Sequence, residues 1–136
     1  MLTFAIIGGG PTGVEYSGAL VELIRVPLAR DFPAIDPREA KVVLLEAAPG
    51  LLNGFPDALR TYAAQRLTGM GVEVRLGAKV AGIDADQIRF ADGTSLPTET
   101  VVWTAGVRGR PEVPGLLGDL GPQGRIKVLE TLQLGG

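Results

Sequence analysis

Gly8, Gly10 and Gly13 stand at the spacing G-x-G-x-x-G within FAIIGGGPTGVE, and Glu46 closes a second apolar run, KVVLLE. Each position suits one part of a single task. The first glycine allows a tight turn out of a strand, the second lets a diphosphate reach the backbone without meeting a Cβ, and the third lets a helix pack close to the strand. A helix opening there offers unpaired N–H groups and the positive end of its dipole to phosphate charge. Glu46 can accept two hydrogen bonds from an adenosine ribose diol and would repel a 2′-phosphate. Ala47, Ala48 and Pro49 after it bring no cation to receive one. These residues point to a dinucleotide site selective for NAD(H) over NADP(H). The plain alternatives are a glycine-rich connector and a solvated strand-end carboxylate.

The chain of 136 residues has no histidine and no cysteine. The commonest general base and the thiolate nucleophile are therefore absent, and no catalytic residue and no metal ligand is assigned. A net charge of −2 gives no basic surplus for nucleic acid or an anionic membrane surface. No apolar run approaches the roughly 20 residues of a membrane span. Glycine is abundant, 20 of 136, but follows no period and gathers at the ends of apolar runs, where turns belong.

The elements that must position the motif alternate. Residues 3–7 read as a strand buried on both faces. Val14, Gly18, Val21, Ile24 and Leu28 then mark a helix face that starts at Pro11 and is expected to kink or stop between Arg25 and Phe32, because of Pro27 and Pro33. A second strand covers 41–46. A second helix begins near Pro56, with Leu59, Tyr62, Ala63, Arg66, Leu67 and Met70 at helical spacing and Gly71 as its cap. Residues 72–76 form a third strand. Short runs at 79–84, 87–90 and 95–96, separated by turn residues, read as an antiparallel meander, and 99–103 as a further strand. Residues 126–128 and 131–134 have the makings of short strands with no obvious partner. The expected fold class is α/β: a Rossmann-like parallel sheet with flanking helices plus a small antiparallel β-meander.

One spacing departs from the usual pattern. The acid normally lies about 20 residues beyond the glycines, whereas Gly13 and Glu46 are 33 apart. The surplus lies in RVPLARDFPAIDPREAK, residues 25–41.

GGGPTGVE, the long insert after the first helix, VVLLEAAPGLLNGFP and VVWTAGVRGRP together resemble the NADH-binding domain of the type II NADH dehydrogenases. These are members of the pyridine nucleotide–disulfide oxidoreductase superfamily, and they tolerate such an insert. The resemblance implies that Gly8, Gly9, Gly10, Pro11, Thr12 and Gly13 form the diphosphate turn and that Glu46 holds the ribose. It implies that Glu15 lies beside the nicotinamide carboxamide, and that Thr104, Ala105 and Gly106 pass under the nicotinamide half. The parent would be an oxidoreductase carrying hydride from NADH to FAD and on to a quinone. Residues 1–110 would be its NAD(H)-binding domain and 111–136 a tail leading toward an FAD domain absent from this chain. As an excised domain, the chain would bind NADH without turnover. It would be cytoplasmic, its parent peripheral on the cytoplasmic face of the membrane. The face left uncovered near Glu15, residues 103–107 and the Pro-rich tail would favour a homo-oligomer. Three other classes stay open: a stand-alone NAD-binding sensor module, an interaction domain that lost its ligand, and a fragment of a flavin disulfide reductase.

Overall fold

The two apolar runs that carry the motif residues lie side by side at the centre of a sheet. The structure, a computed structural model, describes residues 2–34, 36–109 and 121–134. These group into two compact units, Met1–Ala105 and Gly106–Gly136.

In the first unit, four parallel strands run in the order β3-β2-β1-β7: β1 is Leu2–Ile7, β2 Ala40–Glu46, β3 Glu73–Leu76 and β7 Thr100–Trp103. Period-two alternation divides their side chains between two cores. Ile6, Val42 and Leu44 face α1 (Pro11–Leu23) and α3 (Asp57–Met70), packing with Val21, Ile24, Leu67 and Val72. Ala5, Ile7, Val43 and Leu45 face the other way, onto Ile88, Phe90 and Leu96. Those three belong to an antiparallel sheet of β4 (Val80–Ile83), β5 (Gln87–Phe90) and β6 (Ser95–Pro97). Burial on both faces of residues 5–7 and 42–45 explains why the central parts of β1 and β2 read as unbroken apolar runs. Each fully buried Leu or Ile contributes about 1.5–3 kcal/mol. Thr98, buried, donates its hydroxyl to the Thr3 carbonyl at 2.8 Å and ties the meander to β1.

The insert after α1 is expected to kink, and the structure shows how. Ordinary helical bonding gives way to a π-turn, Ile24–Leu28, that contains Pro27. Its wider i→i+5 spacing absorbs the missing proline N–H. The final turn, α2 (Ala29–Asp31), ends where Phe32 leaves helical angles at φ −126° and ψ 68°. The extra residue in the π-turn carries Leu28 off the face expected for it, leaving it 38% exposed.

The buried face of α3 also differs from the expectation. Leu59 and Tyr62 are 52% and 65% exposed and Arg66 is exposed, while Ala63, Ala64, Leu67 and Met70 turn inward. The two stripes are adjacent on the helix surface, and the approach of α1 selects the second: Gly18 lies against Leu67 and Met70. Gly71 caps the helix in the left-handed region, φ +90°, and the Val72 N–H reaches back to the Leu67 carbonyl at 3.0 Å.

In the second unit, Val128 and Leu134 pair with each other in an isolated antiparallel bridge. The two segments expected to lack partners thus meet across a turn, in which the Leu132 N–H donates to the Leu129 carbonyl. The Pro-rich tail expected from residue 111 lies outside the described residues as far as residue 120.

The edge strand β3 carries a charge triad. Glu73 receives Lys41 Nζ and Arg75 Nε, each at 2.6 Å. The hydrogen bond from Lys41, followed by that from Arg75, holds the Glu73 carboxyl below the usual glutamate range. A depressed folded-state value stabilises the fold above the unfolded value, ~4.3. That contribution disappears as pH falls through the folded value. Glu73→Gln is therefore expected to have a lower urea midpoint than wild type at pH 7. The difference should shrink as pH falls through and below the ordinary glutamate range; a gap unchanged on acidification would rule the triad out as its source.

Candidate functional site at the opening of the first helix

The three motif glycines meet three different surroundings. Gly8 has φ +115°, and a Cβ there would stand 2.8 Å from the Ala105 nitrogen and 2.9 Å from Thr104 Oγ1. At Gly13 a Cβ would fall onto the Gly8 carbonyl oxygen. Both positions are glycine because backbone already fills the space. At Gly10 a Cβ would meet nothing within 4 Å. Its φ of −74° suits any residue, so what distinguishes this glycine is the open space beside it.

Gly10 is the N-cap of α1, with Pro11 in the first position and no side chain capping the end. The first helical bond runs from the Val14 N–H to the Gly10 carbonyl at 3.0 Å. The Thr12 and Gly13 amides precede it and belong to the set that a helix leaves without internal partners. No acidic residue occupies the first turn. Donors, dipole and clearance coincide at one point, and this is the geometry a phosphate group requires.

Gly9, between the two turn glycines, is held at both of its polar groups. Its N–H donates to Glu46 Oε2 at 2.6 Å, and its carbonyl accepts from the Leu52 N–H at 2.8 Å. Glu46 accepts a second backbone bond, from the Ala48 N–H to Oε1 at 2.7 Å. One bond on each oxygen leaves roughly half of the carboxylate's acceptor sites free. The acid expected to hold a ribose thus also braces the glycine turn. The Leu51 side chain, buried, covers Gly9 closely enough that a Cβ there would lie 2.6 Å from its Cδ2.

At the end of β7, Thr104 Oγ1 donates toward the carbonyls of Ile7 and Gly8 at 2.9 and 3.1 Å. The Trp103 indole donates to the Ala105 carbonyl at 2.6 Å. Bonds and close approach therefore join Gly8, Gly9, Gly13, Glu46, Thr104 and Ala105. Pro11 and Thr12 follow as the exposed start of α1. Glu15 is exposed further along that helix and takes no part in this bonding. Gly106, at φ +79°, opens the second unit.

The sequence reading omits three residues that build the site. Leu51 and Leu52 lie in a segment read only as a loop, and Leu52 adopts φ +52°, which its side chain does not advertise. Arg60, on α3, grips the same loop through the Leu51 carbonyl at 2.9 Å. The available clue is Gly50 ten residues earlier: the Arg60 guanidinium occupies the space its Cβ would need.

The described residues fit a dinucleotide. Gly10 provides the clearance, Thr12 and Gly13 the donors, and Glu46 the spare acceptors beside them.

Comparison with known proteins gives the same direction. Residues 2–134 match the family described as pyridine nucleotide-disulphide oxidoreductase. The chain is 40% identical over 144 residues to the type II NADH:quinone oxidoreductase Ndh of Mycobacterium tuberculosis, covering 100% of this chain and 31% of that protein. It is 32% identical over 136 residues to the external alternative NAD(P)H-ubiquinone oxidoreductase B4, mitochondrial, of Arabidopsis thaliana, covering 96% of this chain and 23% of the relative. The chain therefore spans less than a third of either relative's length. The structure of NDH2 from Plasmodium falciparum in complex with NADH shares the fold, with a TM-score of 0.73 at 21% identity, over 81% of this chain and 23% of that one.

Proposed function

The chain belongs to the pyridine nucleotide-disulphide oxidoreductase family, and on that footing we propose that it is the NADH-binding domain of an FAD-dependent NADH:quinone oxidoreductase. The observation that carries the reading is the contrast among the glycines. Gly8 and Gly13 are packed against backbone, while Gly10 is clear at an uncapped helix N-terminus.

In this reading the diphosphate is received by the amides around Gly10, Thr12 and Gly13, and the adenosine ribose by the free acceptor sites of Glu46. Glu15 and the segment of Thr104, Ala105 and Gly106 orient the nicotinamide half. When bound, the reduced nicotinamide supplies the hydride. The chain's own residues bind and orient, and none is assigned as acid, base or nucleophile. The FAD and quinone sites are assigned to parts of the parent beyond this chain, whose counterpart in the Mycobacterium tuberculosis relative is 31% of the length. The isolated chain is then a binding unit without turnover. Its parent is placed peripherally on the cytoplasmic face of a membrane. Among the described residues no helix is long and apolar enough to cross one.

The test is a fluorescence titration of the chain with NADH and with NADPH. NADH is expected to saturate, with NADPH at least about tenfold weaker, because a 2′-phosphate would meet the Glu46 carboxylate. Glu46→Gln is expected to weaken NADH by about tenfold and to lower stability by ~1–3 kcal/mol. Its amide has one accepting atom for two backbone donors, so either Gly9 or Ala48 is left facing an NH2 group. Equal affinity for NADH and NADPH would remove Glu46 from the ribose, and no saturable NADH binding would remove the function.

A further inference from the structure

We propose that Arg60, on a helix outside the glycine motif, is a positioning residue that aims the Gly10 N–H at the diphosphate through two successive peptide planes. This inference rests on the NADH-binding reading above.

The chain of contacts is short. Arg60 Nε donates to the Leu51 carbonyl at 2.9 Å. That carbonyl belongs to the Leu51–Leu52 peptide, whose N–H donates to the Gly9 carbonyl at 2.8 Å. A trans peptide is planar, with its C=O and N–H pointing in opposite directions. Fixing one end of the Leu51–Leu52 plane therefore fixes the other. The same rule applies to the Gly9–Gly10 peptide: with its carbonyl turned toward Leu52, the Gly10 N–H must point away from the loop. Gly9 itself is pinned on its amino side by Glu46 at 2.6 Å.

Arg60 is suited to the task because its fork is occupied on every branch. Besides the Leu51 carbonyl, Nη1 meets Asp57 Oδ1 at 2.9 Å and Nη2 meets Asn53 Oδ1 at 3.3 Å. The side chain is 26% exposed, so the guanidinium lies over the loop rather than in open solvent. Gly50 leaves the room it needs. Leu52, at φ +52°, is in a conformation rare for its type. Without the clamp, the loop is free to relax out of it, and the Leu52 N–H leaves the Gly9 carbonyl.

The experiment compares wild type, Arg60→Met, Arg60→Lys and Arg66→Met, the last an exposed arginine on the same helix. NADH affinity is read by fluorescence titration. The backbone amide resonances of Gly9 and Gly10 are read by NMR on the free protein. Arg60→Met is expected to weaken NADH about tenfold and to shift the Gly10 amide before any ligand is added. Arg60→Lys, which keeps the charge without the fork, should fall between it and wild type. Arg66→Met should match wild type in both measurements. The inference is overturned if Arg60→Met binds NADH like wild type. It is equally overturned if affinity falls while the Gly10 amide stays where it is, since a general loss of stability would do that. Should Arg60→Met fail to fold, Arg60→Lys carries the same comparison. Failure of wild type to bind NADH removes the functional reading and with it any role of Arg60 in ligand binding. The free-protein resonances then decide only whether the mechanical link from Arg60 to Gly10 exists.

Discussion

Gly10→Asp is expected to make the chain more stable and, at the same time, to weaken NADH binding by at least about 100-fold. The two effects have one cause. At the N-cap, an aspartate accepts from the second or third amide of the helix, and here those belong to Thr12 and Gly13. Relative to glycine the cap is worth a few tenths of a kcal/mol. The negative charge at the helix dipole adds about 0.3–1 kcal/mol. Nothing opposes the side chain, because a Cβ at Gly10 meets no atom within 4 Å and the backbone, at φ −74°, already suits it. A rise in melting temperature of about 2–4 °C follows. The diphosphate needs the same donors and the same space. It would lose its hydrogen bonds and meet a like charge, worth ~4 kcal/mol at 4 Å in a surface-like dielectric. Even with strong screening that leaves the hundredfold loss. Thermal unfolding and NADH titration of one variant decide the matter. If stability and affinity fell together, Gly10 would be a structural glycine like its neighbours, and the open space beside it would have no assigned use.

Much of this arrangement is legible in the residue order, for physical reasons that differ from element to element. β1 and β2 stand out because residues 5–7 and 42–45 are buried on both faces, so no polar residue interrupts those stretches. Gly71 announces the end of α3 because the left-handed cap needs a residue without a Cβ. The glycine spacing announces the turn because Gly8 and Gly13 each face backbone within contact distance. What escapes is whatever depends on a partner distant in sequence. The helical stripe through Leu59, Tyr62 and Arg66 fits α3 as well as the one through Ala63, Leu67 and Met70. Only the approach of α1 chooses between them. Glu46 is visible as a strand-end acid, but its bond to Gly9 spans 37 positions and follows from the parallel pairing of β1 with β2. Leu52 in the left-handed region has no signature at all, since leucine does not favour it. It is held there from outside, by Gly9 on one side and Arg60 on the other. The site is thus half motif and half scaffold, and the scaffold half is carried by residues of ordinary type.

Two glycines of α1 should respond to the same substitution with opposite signs. At Gly13, the alanine methyl would fall onto the Gly8 carbonyl oxygen and stand 2.9 Å from Thr104 Oγ1. Neither neighbour is the free end of a flexible chain: one is backbone in a tight turn, and the other is hydrogen-bonded to the Ile7 and Gly8 carbonyls. The helix has to lift from the strand. Lifting it draws Ser17, Val21 and Ile24, all buried, away from the sheet. It also breaks the approach that places the Thr12 and Gly13 amides beside Gly10. Overpacking of this kind costs about 1–3 kcal/mol and more where backbone must move. Gly13→Ala is therefore expected to lose about 3 kcal/mol, to melt at least ~10 °C lower, and to retain no measurable NADH affinity. At Gly18, by contrast, a methyl would stand 3.6 Å from Met70 Cε and 3.7 Å from Leu67 Cδ2, which is ordinary contact. Replacing a mid-helix glycine there should stabilise the chain by about 0.5–1 kcal/mol. It should leave NADH binding unchanged, since Gly18 lies two turns from the phosphate end. Urea unfolding of the two variants beside wild type measures both effects. Equal losses would mean that α1 tolerates no added bulk anywhere along this face, and the close contact at Gly13 would then have no special bearing on the ligand. Opposite signs would tie affinity to that single contact, because the gain at Gly18 shows that the helix as a whole has room to spare.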